Sequence, residues 1–146
     1  MKPLDEDGEK TMDRLTQGQR SLLMSRVRSK DTAPELLVRG LLYRMGYRYR
    51  LHVRGLPGTP DIVFQGRGKV VFVHGCFWHQ HPNCGDACIP NSRIEYWIPK
   101  LARNVQRDEE NRQKLEELGW QALVIWECET KRASKLRARL RRFLAG

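Results

Sequence analysis

The sequence predicts an α/β chain built as a mixed α+β sandwich, a central sheet flanked by helices. Three observations lead there. The hydrophobic patterning runs in the order α-β-β-β-α-β-α. Val70-Val71-Phe72-Val73 and Ala122-Leu123-Val124-Ile125 are unbroken apolar runs, as expected of strands covered on both faces. The segments between and after them carry apolar residues at helical spacing on otherwise charged stretches. With 146 residues, 40% hydrophobic and 30% charged, the chain supports one substantial core.

Residues 1–16 are polar and aperiodic and read as a flexible arm, leaving 17–146 as a single domain. Leu22, Leu23, Met24 and Val27 point to a short helix. Thr32-Ala33-Pro34-Glu35 has the form of a capping box with Pro inside the first turn. It opens a helix to about Met45, with Leu36, Leu37, Leu41 and Leu42 expected to face inward and Gly46 as the stop. Tyr47 to Val53 alternates as a strand, and 56–60 (LPGTP) is a turn. Asp61 to Phe64 and Lys69 to Val73 form two strands joined through Gly66-Arg67-Gly68. Residues 74–93 are rich in Cys, His, Pro, Asn and Gly without any period; a loop of that length in a compact domain is functional or tied down. Pro99 is expected to begin a helix to about Leu118, with Leu101, Val105, Leu115 and Leu118 inside and Gly119 as its end. A strand from Trp120 to Trp126 follows. The final helix, about Lys131 to Leu144, places Leu136, Leu140, Phe143 and Leu144 on one stripe.

Lysine and arginine number 27 against 17 acids, a formal charge of +10. Such an excess suits a polyanion, nucleic acid first and a membrane surface second. Lys131 to Arg142 holds seven of these cations and no acid. No apolar run reaches the roughly 20 residues that span a bilayer. The start, Met-Lys-Pro-Leu-Asp-Glu-Asp, lacks the apolar core of a secretory signal. A cytoplasmic location is therefore expected, where cysteines serve as metal ligands or free thiols.

Cys76-x4-His81-x2-Cys84 puts three soft or borderline ligands in one loop, and a structural zinc site takes four. Cys88 and Cys128 both qualify as the fourth, local spacing favouring Cys88. The plainer reading is a set of thiols without metal, which leaves the loop without a source of order. Asp61 opens one strand and Val73-His74 closes its neighbour, so the carboxylate and the histidines His74 and His79 can face one point. Mg²⁺ prefers such oxygen ligands, and His is the commonest general acid or base near neutral pH. Alternatively Asp61 is a turn residue after Pro60 and the histidines are surface. Asn104, Asp108 and Asn111 project onto the inner face of the long helix, where polar groups must be paired or functional; an Asp there can fix a histidine tautomer. Glu35 either closes the capping box or points at a metal. Phe77, Trp78, Tyr96 and Trp97 are either core or wedges between bases.

Val73-His74-Gly75-Cys76-Phe77-Trp78-His79, Pro57-Gly58-Thr59-Pro60-Asp61, Glu95-Tyr96-Trp97, Asn104-Val105-Gln106-Arg107-Asp108, Glu117-Leu118-Gly119-Trp120 and Trp126-Glu127-Cys128 closely resemble the bacterial very-short-patch repair endonucleases. Asp31-Thr32-Ala33 and Glu35 are similar to that family's N-terminal motif. The resemblance spans about residues 17–130.

It implies a restriction-endonuclease-like core, a monomer, and an enzyme that nicks double-stranded DNA on the 5′ side of the T in a T·G mismatch left by deamination of 5-methylcytosine. It implies mismatch-repair proteins as further partners. By the same carry-over, Asp61 holds two Mg²⁺ ions with the backbone carbonyl of Val73. His79 is the general base and Asp108 its orienting partner, and His74 and Glu35 meet water on the metal or phosphate. Phe77, Trp78 and Trp97 wedge beside the mismatch, Met24 enters from the opposite groove, Lys100 helps read the mispair, and Asn104 and Arg107 join the DNA-binding set. Zinc falls on Cys76, His81, Cys84 and Cys128, which sets aside the local preference for Cys88. Two rivals remain: a zinc-stapled DNA-binding module without catalysis, which Asp61, His79 and Asp108 together argue against, and a restriction-type endonuclease cutting both strands.

Overall fold

A computed structural model describes residues 31–146, and the unit Ala33–Gly146 is treated below. The expected arm at 1–16, the short helix near 22–27 and Met24 lie outside the described residues.

Seven main elements follow in the expected order: α1 (Ala33–Arg44), β1 (Arg50–Leu51), β2 (Ile62–Phe64), β3 (Lys69–His74), α2 (Ile94–Glu117), β4 (Gln121–Trp126) and α3 (Ala133–Ala145). The strands form one sheet in the order β1-β2-β3-β4. The first two pairings are antiparallel and β3 runs parallel to β4, so the sheet is mixed. Alternate faces of its strands bury against different helices. Ile62, Phe64, Val71 and Ile125 pack with Val38, Leu41 and Leu42 of α1 and Leu136, Leu140 and Leu144 of α3. Val63, Val70 and Phe72 pack with Leu115 of α2 on the other side. The result is the three-layer α+β sandwich the pattern required.

Several expectations are corrected. In α1, Leu36 and Leu37 are 49% and 39% exposed, and Val38 and Glu35 point inward instead. Positions 35, 38, 41 and 42 share one face at 3.6 residues per turn, which 36 and 37 do not. The strand expected at Tyr47 to Val53 shrinks to Arg50–Leu51, both exposed. Strand β4 sits at the sheet edge and only Ile125 is fully buried in it. Helix α2 starts five residues before Pro99. Its inner stripe is Trp97, Leu101, Asn104 and Leu115, whereas Val105 and Leu118 are exposed. The aromatic segment Tyr96-Trp97 supplies the burial that lets the helix begin early. Gly46 and Gly119 do stop their helices: Tyr47 N–H returns to Leu42 C=O and Trp120 N–H to Leu115 C=O, the six-to-one bond of a Schellman ending.

Two features deliver the site. In the parallel register His74 pairs with Trp126, so the loops leaving β3 and β4 emerge side by side. And the turn before β2 is pinned at Gly58 (φ +77), where a Cβ would lie 3.1 Å from Asn111 of α2 and 3.2 Å from Phe72. Only glycine fits that approach and that φ, and Asp61 follows three residues later.

Candidate functional site

Cys76 is fully buried at the start of the loop after β3, and Cys128 lies in the short turn Glu127–Lys131 after β4. Their separation in sequence vanishes because the two parallel strands end together. Ligand atoms of Cys76, His81, Cys84 and Cys128 all lie within 4.8 Å of one another. His81 Nδ1 is 3.7 Å from Cys76 Sγ and 3.5 Å from Cys128 Sγ, and its ring stacks on Trp126 at 4.2 Å. Cys88 is exposed and outside the group, which corrects the preference drawn from local spacing. Burial pushes the Cys76 thiol up to about 12 and the Cys128 thiol up as well. Thiols so reluctant to ionise alone, gathered with an imidazole, gain their charge from a bound cation. Three sulfurs and one nitrogen fit zinc's preferred donor set.

The second group lies on the same loop. His79 Nδ1 meets Asp108 Oδ2 of α2 at 2.5 Å. The His79 ring stacks on His74 at 3.7 Å with the planes 7° apart. His74 is buried at the end of β3, and burial, then the neighbouring His79, push its pKa down to about 3. It is therefore neutral at physiological pH. The expectation that Asp108 reaches a histidine from the long helix is met in geometry.

Asp61 precedes β2 and its Oδ2 accepts the Val73 N–H at 2.7 Å. Burial raises its pKa to about 6; the Val73 N–H opposes the rise and the Glu35 charge adds to it. Glu35, 2% exposed on α1, accepts Arg39 Nη2 at 2.6 Å. It also lies 2.7 Å from His52 Nε2, which stands 3.8 Å from Asp61 Oδ1. His52 is the site residue that sequence reading missed. It sits in the alternating stretch before β2, where nothing in the local pattern sets it apart, and in the fold it has a left-handed backbone (φ 46). A carboxylate held above its ordinary range by burial and by a second carboxylate is stabilised by a divalent cation, so the donors present fit Mg²⁺.

The aromatic residues converge. Phe77, Trp78 and Trp97 pack edge to face, with Phe77 5.2 Å from each tryptophan and the two tryptophans 5.9 Å apart. Trp78 (9% exposed) and Trp97 (4%) are buried, and Phe77 is half-buried. Asn104 is buried too, its amide Nδ2 donating to the Trp78 carbonyl at 3.1 Å. In this structure it faces the loop and not the outside. Lys100 is half-buried and Arg107 exposed on α2.

A family model described as DNA mismatch endonuclease Vsr matches residues 12–85. The chain is 51% identical over 132 residues to the type II nicking enzyme V.XorIIP of Xanthomonas oryzae pv. oryzae, covering 90% of this chain and 96% of that protein. It is 42% identical to the type II nicking enzyme V.NmeAIP of Neisseria meningitidis over 90% of this chain and 94% of the relative. To the DNA mismatch endonuclease Vsr of Escherichia coli strain K12 it is 40% identical, over 80% and 74% of the two chains.

Proposed function

We propose, from the premise that the chain belongs to the DNA mismatch endonuclease Vsr family, that it nicks duplex DNA on the 5′ side of the T in a T·G mismatch. That it is a DNA endonuclease cutting one strand follows from the family; the mismatch and the metal requirement are our reading. Zinc on Cys76, His81, Cys84 and Cys128 and Mg²⁺ at Asp61 complete it, with DNA as the partner of a monomeric, cytoplasmic protein. No helix among the described residues is long and apolar enough to cross a membrane.

The observation that carries the chemistry is the His79 ring, bonded to Asp108 at Nδ1 and stacked on His74. With Asp108 accepting from Nδ1, the Nε2 lone pair is left to take a proton. His74, neutral beside it, adds no competing charge. Mg²⁺, when bound, neutralises phosphate charge and lowers the pKa of water. Asp61, anchored by the Val73 N–H, provides a fixed carboxylate at that place, and the Val73 carbonyl and Glu35 are the further donors we assign. The attacking water passes its proton to His79 Nε2 as its oxygen bonds to phosphorus, the P–O bond in line with it breaks, and the departing sugar oxygen takes a proton from solvent. Stacking of Phe77, the half-buried member of the aromatic cluster, against a base step returns about 1–3 kcal/mol per base. Unstacking costs a few kcal/mol, so insertion is favoured where a wobble pair has already weakened the step.

The test is incubation with Mg²⁺ and three otherwise identical duplexes carrying T·G, C·G or 5-methyl-C·G at one position. The expected result is a single-strand cut 5′ of the T in the first alone. Equal cutting of all three, or cutting of both strands, would overturn the assignment.

A further inference from the structure

We propose that His52 is a positioning residue for the nick, its imidazole set against Glu35 so that this carboxylate keeps its place beside Asp61. The proposal rests on the functional reading above. Four observations carry it. Strand β1 is two residues long and buries neither side chain, so core packing does not explain it. Its pairing of Leu51 with Ile62 nevertheless brings the next residue, His52, alongside Asp61. The His52 N–H donates to the Asp61 carbonyl at 3.2 Å, tying the two backbones together. And His52 holds φ 46, a conformation that costs a non-glycine residue free energy and persists where the surroundings impose it.

The side chain completes the picture. It is 14% exposed, with Nε2 2.7 Å from Glu35 Oε2 and 3.8 Å from Asp61 Oδ1. Nε2 is buried and makes no well-aligned hydrogen bond, so what it gives Glu35 is a close contact that limits where the carboxylate can sit. A flat ring pressed against Glu35, with Asp61 beyond it, blocks the Glu35 carboxylate from moving towards Asp61. Arg39 Nη2 donates to the same Glu35 Oε2 at 2.6 Å, so His52 and Arg39 converge on one oxygen of that carboxylate. Loss of the ring would remove the contact on the Asp61 side of Glu35 and let that carboxylate shift within its remaining contacts, Arg39 among them.

A double-mutant cycle tests this, because a residue that acts through Glu35 has no further effect once Glu35 is altered. The variants are His52→Leu, His52→Gln, Glu35→Gln and His52→Leu/Glu35→Gln, zinc-loaded. Single-turnover nicking of the T·G duplex, affinity for that duplex without Mg²⁺, and urea unfolding are measured on each. His52→Leu is expected to slow nicking at least about tenfold with DNA affinity within about twofold of the parent. Glu35→Gln and the double variant should nick at similar rates, and His52→Gln, which keeps a planar polar group, should recover part of the loss. Unfolding should show the same coupling between the two positions without reference to activity. Losses that multiply in the double variant, or His52→Leu nicking within about twofold of an active parent, would overturn the role of His52 and leave the functional reading standing. A parent chain that nicks no T·G duplex while the unfolding cycle still shows coupling would sink the functional reading and with it a role in nicking, leaving only the contact.

Discussion

Replacing Asp61 with Asn should do two opposite things: stop the nick and make the Mg²⁺-free protein more stable at neutral pH. The carboxyl is raised from 3.8 to about 6, chiefly by burial. At about 1.4 kcal/mol for each tenfold change in proton affinity, that difference amounts to about 3 kcal/mol of destabilisation when the group is ionised. The sign follows from proton binding. Below about pH 4 the acid is largely protonated in both folded and unfolded chains and costs little. Between about pH 4 and pH 6 the unfolded chain releases its proton while the folded one keeps it, so stability falls as pH rises. Above that range the whole cost is present. Asn has no such titration, and any fixed difference between amide and acid is independent of pH. Urea unfolding of zinc-loaded parent and variant without Mg²⁺ should therefore show the variant gaining about 2 kcal/mol on the parent between about pH 4 and pH 7.5. Added Mg²⁺ should narrow the gap, since it binds the parent and stabilises it by mass action. Nicking of a T·G duplex should be lost with DNA binding kept. A stability difference that stays flat across that pH range would refute the electrostatic account of Asp61, and nicking within about tenfold of the parent would remove it from the metal site.

Three further outcomes are expected. Cys76→Ser and Cys128→Ser should each lose zinc and much stability while Cys88→Ser loses neither, because bound zinc is folding free energy; metal content of the purified variants decides it. Lys135→Ala and Arg137→Ala, on the exposed face of α3, should each flatten the dependence of log affinity on log salt by about 0.9 and leave the nicking rate at saturating DNA unchanged; an unaltered slope would take that helix off the phosphates. Trp78→Ala should cost roughly 3–5 kcal/mol because the ring is buried, so Phe77→Ala, at the half-buried member of the cluster, is the sharper probe. It should erode the preference for T·G over C·G with a smaller fall in melting temperature, and an unchanged preference would argue against a wedge.

The strands that matter were readable because Val70 to Val73 and Ala122 to Ile125 are unbroken apolar runs that no amphipathic helix would carry. Helix stops were readable at Gly46 and Gly119 for reasons of backbone geometry. Helical facing was less legible. Leu36, Leu37, Val105 and Leu118 are apolar but exposed, whereas Glu35 and Asn104 are polar but inside. Counting leucines therefore finds the wrong stripe wherever a site draws polar groups inward. The fourth cysteine was illegible locally, since Cys88 is near in sequence and Cys128 near in space. Parallel pairing of β3 with β4 decides between them, and spacing within one loop carries no information about it. His52 was missed for the same kind of reason: its partners lie on α1 and before β2, and only β1 pairing with β2 brings it to them.

The cysteine-histidine cluster and the His79 imidazole share one short stretch of backbone, and this bears on how loss of either is read. Cys76 and His81 bracket Phe77, Trp78 and His79. Within that stretch His79 N–H bonds to Gly75 C=O at 3.1 Å and His81 N–H to Cys76 C=O at 2.9 Å. The side-chain tie from Asn104 reaches the Trp78 carbonyl at 3.1 Å and Asp108 reaches His79 at 2.5 Å, both from α2. His79 is thus held from two sides, by the cysteine-histidine cluster through the loop and by the long helix through two polar side chains spaced one turn apart. Glu129, accepting Arg139 and the Trp126 N–H at 2.8 Å, fixes the turn that carries Cys128 against α3. The cluster therefore does more than stabilise the loop: it sets where the imidazole stands relative to Asp61. Polar residues on the inner face of α2 are the other half of that arrangement, which is why Asn104 and Asp108 occupy positions where packing alone would have placed leucine.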